Sequence, residues 1–430
     1  MDLKRLEVSR LFNRFAFGPR PGEFTAALKA GPESLKSSLL NPPAIDSGAP
    51  SEPIFSDLGP RPAPNSPEVI QFSQNLRAQT KELSAWWLDQ MVLTQKPLQE
   101  KMVWFWHGHW ATSIGKVNYP LPMMKQNQTF RKYALGNFKD MSQAMLLDGA
   151  LQIWLDGNEN TLKAPNENLA REVMELFVLG VNRYTEKDVK ELARALTGYQ
   201  AVRSTGVVTL NPKRRDVNSV SILGKTGVLT GPEAISHLVD QPDCPLFLAE
   251  RIWYRFVSSS NPLPAGHPMI NALAGREISQ GVTALLNSGD LSRPEHSIVK
   301  SPVEWFVGVC KALNLTPSKL DSFTKLNGYL DKMAQIPFSP PNVGGWPTDE
   351  AWLSSASAQF RIAFAAWLVK DADLSQIEAL LPEKRIAYLA DLLAIAEWTP
   401  RTTFALREVR ANLPRLVSLA ICSPEYVVSQ

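Results

Sequence analysis

The sequence predicts a mainly α protein, one large multi-helix domain with a small β-hairpin excursion near residues 199–230. Two observations carry this. Apolar residues recur at helical spacing, behind capping residues or a proline at the first helical position, through most of the 430 residues. Runs of β type, bounded by Gly, Asn and Pro, occur at Val207-Val208-Thr209-Leu210 and Val220-Ser221-Ile222-Leu223.

Residues 1–40 read as an N-terminal helical arm, with Val8, Leu11, Phe12 and Phe15 on one face of a first helix and a short helix over roughly 22–40. Residues 41–67 hold eight prolines and read as an extended connector over the surface. The main domain then runs from 68 to 430. Its first helix extends to Leu93, and Pro97 opens the helix that carries Trp104-Phe105-Trp106-His107-Gly108-His109-Trp110. Helices follow over about 121–134 and 137–155. Asn166 is a good N-cap and Gly180 a good stop, and Thr185 to Asp188 resembles a capping box for a helix ending at Gly198. Beyond the β excursion, helices resume at Pro232–Asp240, at Pro245–Val257 and again after 268.

Composition narrows the function classes. A hydrophobic share of 44% with 20% charged residues describes a folded chain with a sizeable core. The net charge of +3 and the absence of any long like-charge run give no nucleic-acid signal. Cys244, Cys310 and Cys422 stand far apart, so neither a zinc ribbon nor a disulfide framework is expected. No stretch is apolar enough to span a membrane, and the N-terminus has no signal-peptide pattern, which points to the cytoplasm unless a partner carries the chain to the envelope.

Three groups of residues could carry chemistry. On the helix from Asn166, the side chains of Asn168, Arg171, Glu172 and Glu175 fall within an arc of about 100°, with apolar residues around most of the rest. Such a narrow polar stripe faces a cleft or forms internal ion pairs. His107 and His109 are candidate acids, bases or metal ligands, although on a continuous helix they diverge by about 200°. Only a bend at Gly108 would let both face one ion. Asp156, Asn158, Asn160 and Glu167 occupy positions 1, 3, 5 and 12 of a calcium-loop pattern, but Thr161 stands where glycine is required. Arg215 and Asp216 on the β excursion could reach over a cleft mouth. No phosphate loop, nucleophile elbow or zinc-protease motif occurs.

Several blocks resemble one bacterial family, domain of unknown function 1800. They are RLFNRFAFGPRPGE, the run from Lys101 to Ser113, LDGNENTLKAPNENLAREVMELFVLGV, YTEKDVKELARALTGY, KSPVEWFVG and PPNVGGWP, in order between residues 10 and 347. The resemblance carries over no settled activity, and the cofactor, if any, is unknown. It implies a partner, a protein of the domain of unknown function 1501 family, whose members tend to carry export signals. Relatives tend to show His-Asp where this chain has Arg215-Asp216, so any role of that histidine does not carry over.

The expected function is therefore binding of a polar ligand or partner protein through a cleft lined by His107, His109, Asn166, Asn168, Arg171, Glu172 and Glu175. A hydrolytic enzyme using the same residues, with Glu172 or Glu175 as base, is the alternative. A structural helical scaffold is the third reading.

Overall fold

Asp2 starts the first helix: its carboxylate accepts the backbone N–H groups of Lys4 and Arg5, two donors that a helix N-terminus leaves unpaired. The structure, a computed structural model, describes residues 2–429. α1 (Leu3–Phe15) is followed by α2 (Glu23–Ala30) and α3 (Pro32–Leu40), so the one helix expected over 22–40 is two. Gly31, at φ +95°, and the proline behind it impose the break.

α1 lies inside the common core, with Leu6, Val8, Leu11 and Phe15 buried. Two arginines are buried with them. The Arg14 guanidinium donates to the carbonyls of Val257 (2.7 Å), His296 (2.8 Å) and Ser429 (2.6 Å), and Arg10 donates to those of Leu291, Arg293 and His296. Backbone acceptors from distant segments thus satisfy charges that the core would otherwise exclude.

Residues 41–67 form no helix or strand. α4 (Glu68–Leu93), α5 (Pro97–His109), α6 (Ile114–Val117), α7 (Pro120–Tyr133), α8 (Phe138–Leu146) and α9 (Gly149–Trp154) follow. The helix expected over 137–155 is interrupted at Asp148, whose carboxylate accepts the Leu151 N–H at 2.7 Å and so caps a new start. α10 (Glu167–Glu172) runs into a π-helical turn, Val173–Val178, which the sequence pattern did not announce. α11 (Glu186–Ala195) begins with a complete Thr185–Asp188 capping box.

The β excursion holds two hairpins where one was expected. β1 (Tyr199–Ala201) pairs antiparallel with β2 (Val208–Leu210), and β3 (Val220–Ile222) with β4 (Lys225–Gly227). Leu223 (φ 44°) and Gly224 (φ 81°) make a two-residue turn with both φ angles positive, which closes the second hairpin on itself.

α12 (Gly231–Val239), α13 (Asp243–Phe256), α14 (Pro268–Ala272), α15 (Ile278–Leu286), α16 (Pro302–Ala312) and α17 (Phe323–Lys332) continue the helical body. Further helices between residues 355 and 427 close it. β5 (Ile298–Val299) pairs with β6 (Val428–Ser429), a two-residue pairing too short to be seen in the pattern. Among the described residues no helix is long and apolar enough to cross a membrane.

Candidate functional site

α5 continues unbroken through Gly108 to His109, so the two histidines leave the helix in different directions. His107 is buried among the rings of Trp87, Trp104, Phe338 and Trp346, and its Nε2 accepts the Phe338 N–H at 3.1 Å. His109 is buried among Phe105, Trp106, Phe177 and Phe247. Its Nε2 lies 2.8 Å from the carbonyl oxygen of Phe177, so that nitrogen carries the proton. Burial pushes both rings down to about pH 3, and the Arg251 charge adds to this at His109. Both are neutral at pH 7, and neither forms an ion pair with a carboxylate among the described residues.

The polar stripe of α10 lies at the surface. Arg171 meets Glu186 of α11 through two hydrogen bonds of 2.6 and 2.8 Å. Glu175 accepts the Tyr184 hydroxyl. Glu172 is half-buried, and burial together with the Glu175 charge holds its carboxyl above the usual range against the pull of Arg171. Asn168 is exposed, and Asn166 is the N-cap, accepting the Leu169 N–H at 3.0 Å. Arg215 packs beside Gly198, and buried Asp216 accepts Arg194 Nε at 2.7 Å. The residues expected to share one cleft therefore fall in three places.

The calcium-loop residues do not converge either. Asp156 pairs with Lys116 at 2.8 Å. The Asn158 amide bonds both the N–H (2.6 Å) and the carbonyl (3.0 Å) of Ala201. The Asn160 amide is buried, accepts the Asn166 N–H at 2.9 Å and donates to the Ala193 carbonyl at 3.2 Å. Glu167 is exposed. The two asparagines thus fasten β1 and α11 to the loop. Among the described residues no group of three or more His, Cys, Asp or Glu is arranged to hold a metal ion.

The fold instead gathers charge between α5, α13, α16 and the segment around Thr348, around a narrow cleft with about 30 Å³ of space for water-sized groups. Lys101 Nζ on α5 contacts Glu304 Oε1 on α16 at 2.5 Å. Glu304 also completes the α16 capping box, accepting the Ser301 N–H at 3.0 Å. Burial opposes the Glu304 charge, but Lys101 and these hydrogen bonds outweigh it and keep the carboxyl below its usual range. At Lys101 burial dominates, so its ammonium is lowered despite Glu304. The same burial thus strains one partner while the contact favours the other.

Apolar walls come from Trp104, Phe105, Ile298 and Trp352. Trp104 is itself held by Trp346, whose ring stacks on it at 5.0 Å and 24°. On the rim, the Tyr254 and Thr348 hydroxyls lie 2.5 Å apart. Asp349 accepts the Val299 N–H at 2.9 Å and the Ser259 hydroxyl, so its lone pairs are largely occupied.

Arg255 differs from all these. It lines the cleft, yet its guanidinium makes no hydrogen bond and no ion pair with any described residue. One turn earlier on α13, Arg251 buries an Nε with no partner. Burial and the neighbouring Arg255 charge push Arg251 down to about 10, and burial lowers Arg255 against Glu304 and Tyr254. Both still carry charge at pH 7. Sequence reasoning missed this pair. Its signal was the i,i+4 spacing of two arginines on a helix otherwise rich in Leu248, Ile252, Trp253 and Phe256.

Charged, aromatic and loop blocks from residues 101, 255, 304 and 346 onward meet in this one cleft, the arrangement of a helical protein built around a charged groove. The chain belongs to the family described as protein of unknown function (DUF1800), which matches residues 10–428. No curated protein and no solved structure matches it.

Proposed function

We propose that the chain binds a small anionic ligand, a carboxylate- or phosphate-bearing molecule, in the cleft between α5, α13 and α16. The observation that carries this reading is Arg255, a guanidinium with five donors and no acceptor in a partly enclosed cleft. Arg255 is half-buried, so its N–H groups keep only part of their water, and an oxyanion bonded through two parallel N–H groups would take that water's place. Glu304 is engaged by Lys101 and Asp349 by Val299 and Ser259, so neither carboxylate is hydrogen-bonded to Arg255, although the Glu304 charge already favours the guanidinium. The hydrolytic reading through Glu172 or Glu175 has less support, because Arg171 and Glu175 are held by Glu186 and Tyr184.

The test is thermal unfolding with sodium phosphate, sulfate and succinate, against chloride at equal ionic strength, for the wild type and for Arg255→Met. At least one oxyanion raises the wild-type Tm in a saturable way, and Arg255→Met folds but loses that shift. A wild-type Tm unmoved by every oxyanion at 10 mM (about the weakest affinity a specific site of this kind would show) would sink the reading.

A further inference from the structure

We infer that the outer edge of β2 takes an acidic extended segment of a partner protein as an added strand. The register pairs Tyr199 with Leu210, Gln200 with Thr209 and Ala201 with Val208. Beyond both ends, Val202 N–H donates to Val207 O and Asn211 N–H to Gly198 O. The alternation of an antiparallel pair therefore turns the backbone groups of Val208 and Leu210 away from β1. None of these four groups has a partner among the described residues. On the opposite edge the Asn158 amide occupies the N–H and C=O of Ala201. A side chain thus caps part of the β1 edge, whereas the β2 edge carries no such cap and offers the groups that strand addition uses.

Charge identifies the occupant. Residues 199–230 hold five basic residues, Arg203, Lys213, Arg214, Arg215 and Lys225, against the single acidic Asp216, whereas the whole chain carries only +3. The rest of the chain is therefore slightly acidic, and its positive charge is concentrated on this lobe. Asp216 is buried and bound by Arg194, so it does not neutralise the surface. Lys213 and Lys225 are exposed and form no ion pair among the described residues. Arg203 stands at the hairpin turn and Lys213 just past the end of β2, so a strand laid along the edge meets a cation at each end. Exposed Val207, just before β2, and Leu210, at its end, supply apolar contacts along the edge. A second copy of the chain is disfavoured by the same excess charge, which would face itself.

The probe is a fluorescein-labelled octapeptide alternating Val and Glu, titrated with the full chain and read by anisotropy. The comparison ligands are its Val-Lys counterpart, vesicles containing phosphatidylglycerol, and a single-stranded oligonucleotide. The Val-Glu peptide binds, and at least tenfold tighter than the Val-Lys one. Leu210→Pro removes the outward N–H without touching the β1–β2 ladder, and weakens binding at least tenfold. Arg203→Glu with Lys213→Glu, which leaves the backbone alone, does the same, and near-UV circular dichroism shows that each variant is folded. No binding of the Val-Glu peptide overturns the inference. So does binding of vesicles or oligonucleotide that Leu210→Pro leaves unchanged while the peptide fails to compete, since the lobe would then be a purely electrostatic surface.

Discussion

Gly345 lies so close to the backbone of Gly108 that a Cβ at position 345 would stand 2.4 Å from the Gly108 carbonyl oxygen. This contact seats the loop that carries Gly345 and Trp346 on α5, and Trp346 stacks on Trp104 of the same helix. At φ +85°, Gly345 also occupies backbone space that a side chain resists.

Gly345→Ala is expected to lower stability by roughly 2–4 kcal/mol, from the strained φ and the displaced loop together. Urea unfolding measures it, and the near-UV signal of the Trp104–Trp346 pair reports whether the stack loosens. A loss under about 0.5 kcal/mol would mean that the loop moves off α5 without penalty.

Lys101 and Glu304 form the ion pair of the cleft wall, with side-chain exposures of 5% and 19%. Glu304→Gln strands the ammonium and is expected to cost about 2–4 kcal/mol, less than for a fully buried pair because Glu304 keeps some contact with water. Lys101→Met combined with Glu304→Leu recovers most of that loss, since an apolar pair has no charge to desolvate. A double variant no more stable than Glu304→Gln alone would contradict this.

Two buried histidines and one buried aspartate oppose each other in the pH profile. His107 and His109 have folded values of about 3, below their unfolded values, so stability is lost as pH falls below about 6.5, at roughly 1.4 kcal/mol per pH unit each. Burial raises Asp148 to about 7, against hydrogen bonds from Leu151, Gln126 and Ala150. Its folded form holds a proton that the unfolded chain releases, so acidification from pH 7 toward 4 stabilises by the same slope. Asp148→Asn removes this compensation. Between pH 6.5 and 5 the variant should lose stability faster than the wild type by about 1.4 kcal/mol per pH unit, measured by urea unfolding at several pH values. Parallel profiles for the two proteins would show that Asp148 is ionised in the fold.

Glu172→Gln separates the surface stripe from the cleft. It removes a carboxylate that Glu175 already disfavours and that makes no hydrogen bond, so the variant folds and keeps the oxyanion-dependent rise in Tm that Arg255→Met loses. Loss of that rise in Glu172→Gln would return the ligand to α10.

What the sequence could reveal was local. Thr185–Asp188, Asn166, Pro97 and the turn glycines act within a few residues, and the helices begin and end near them. The divergence of His107 and His109 also followed from spacing alone. The π-helical turn after Glu172 left no mark in the periodicity, because Val173–Val178 is apolar except at Glu175 and so has no polar face whose shift would show. The cleft left none because Lys101, Arg255 and Glu304 meet only in three dimensions. Glu304 sits in a capping box, a complete local role that hides its distant partner, and Arg255 is one of several charges on an amphipathic helix.

The buried arginines of α1 have a consequence for how the chain reaches this state. Arg14 is bonded to Ser429 across 415 positions, and to Val257 and His296 across more than 240. During synthesis the first helix emerges long before any of those acceptors exists. Until they arrive, the face of α1 that holds Leu6, Val8, Leu11 and Phe15 carries two guanidinium groups without their native acceptors. The N-terminal segment is thus kept from settling into an early, wrong core. β6 holds α1 in place from 415 positions further along the chain, so this part of the core closes through long-range contacts instead of by growth outward from α1.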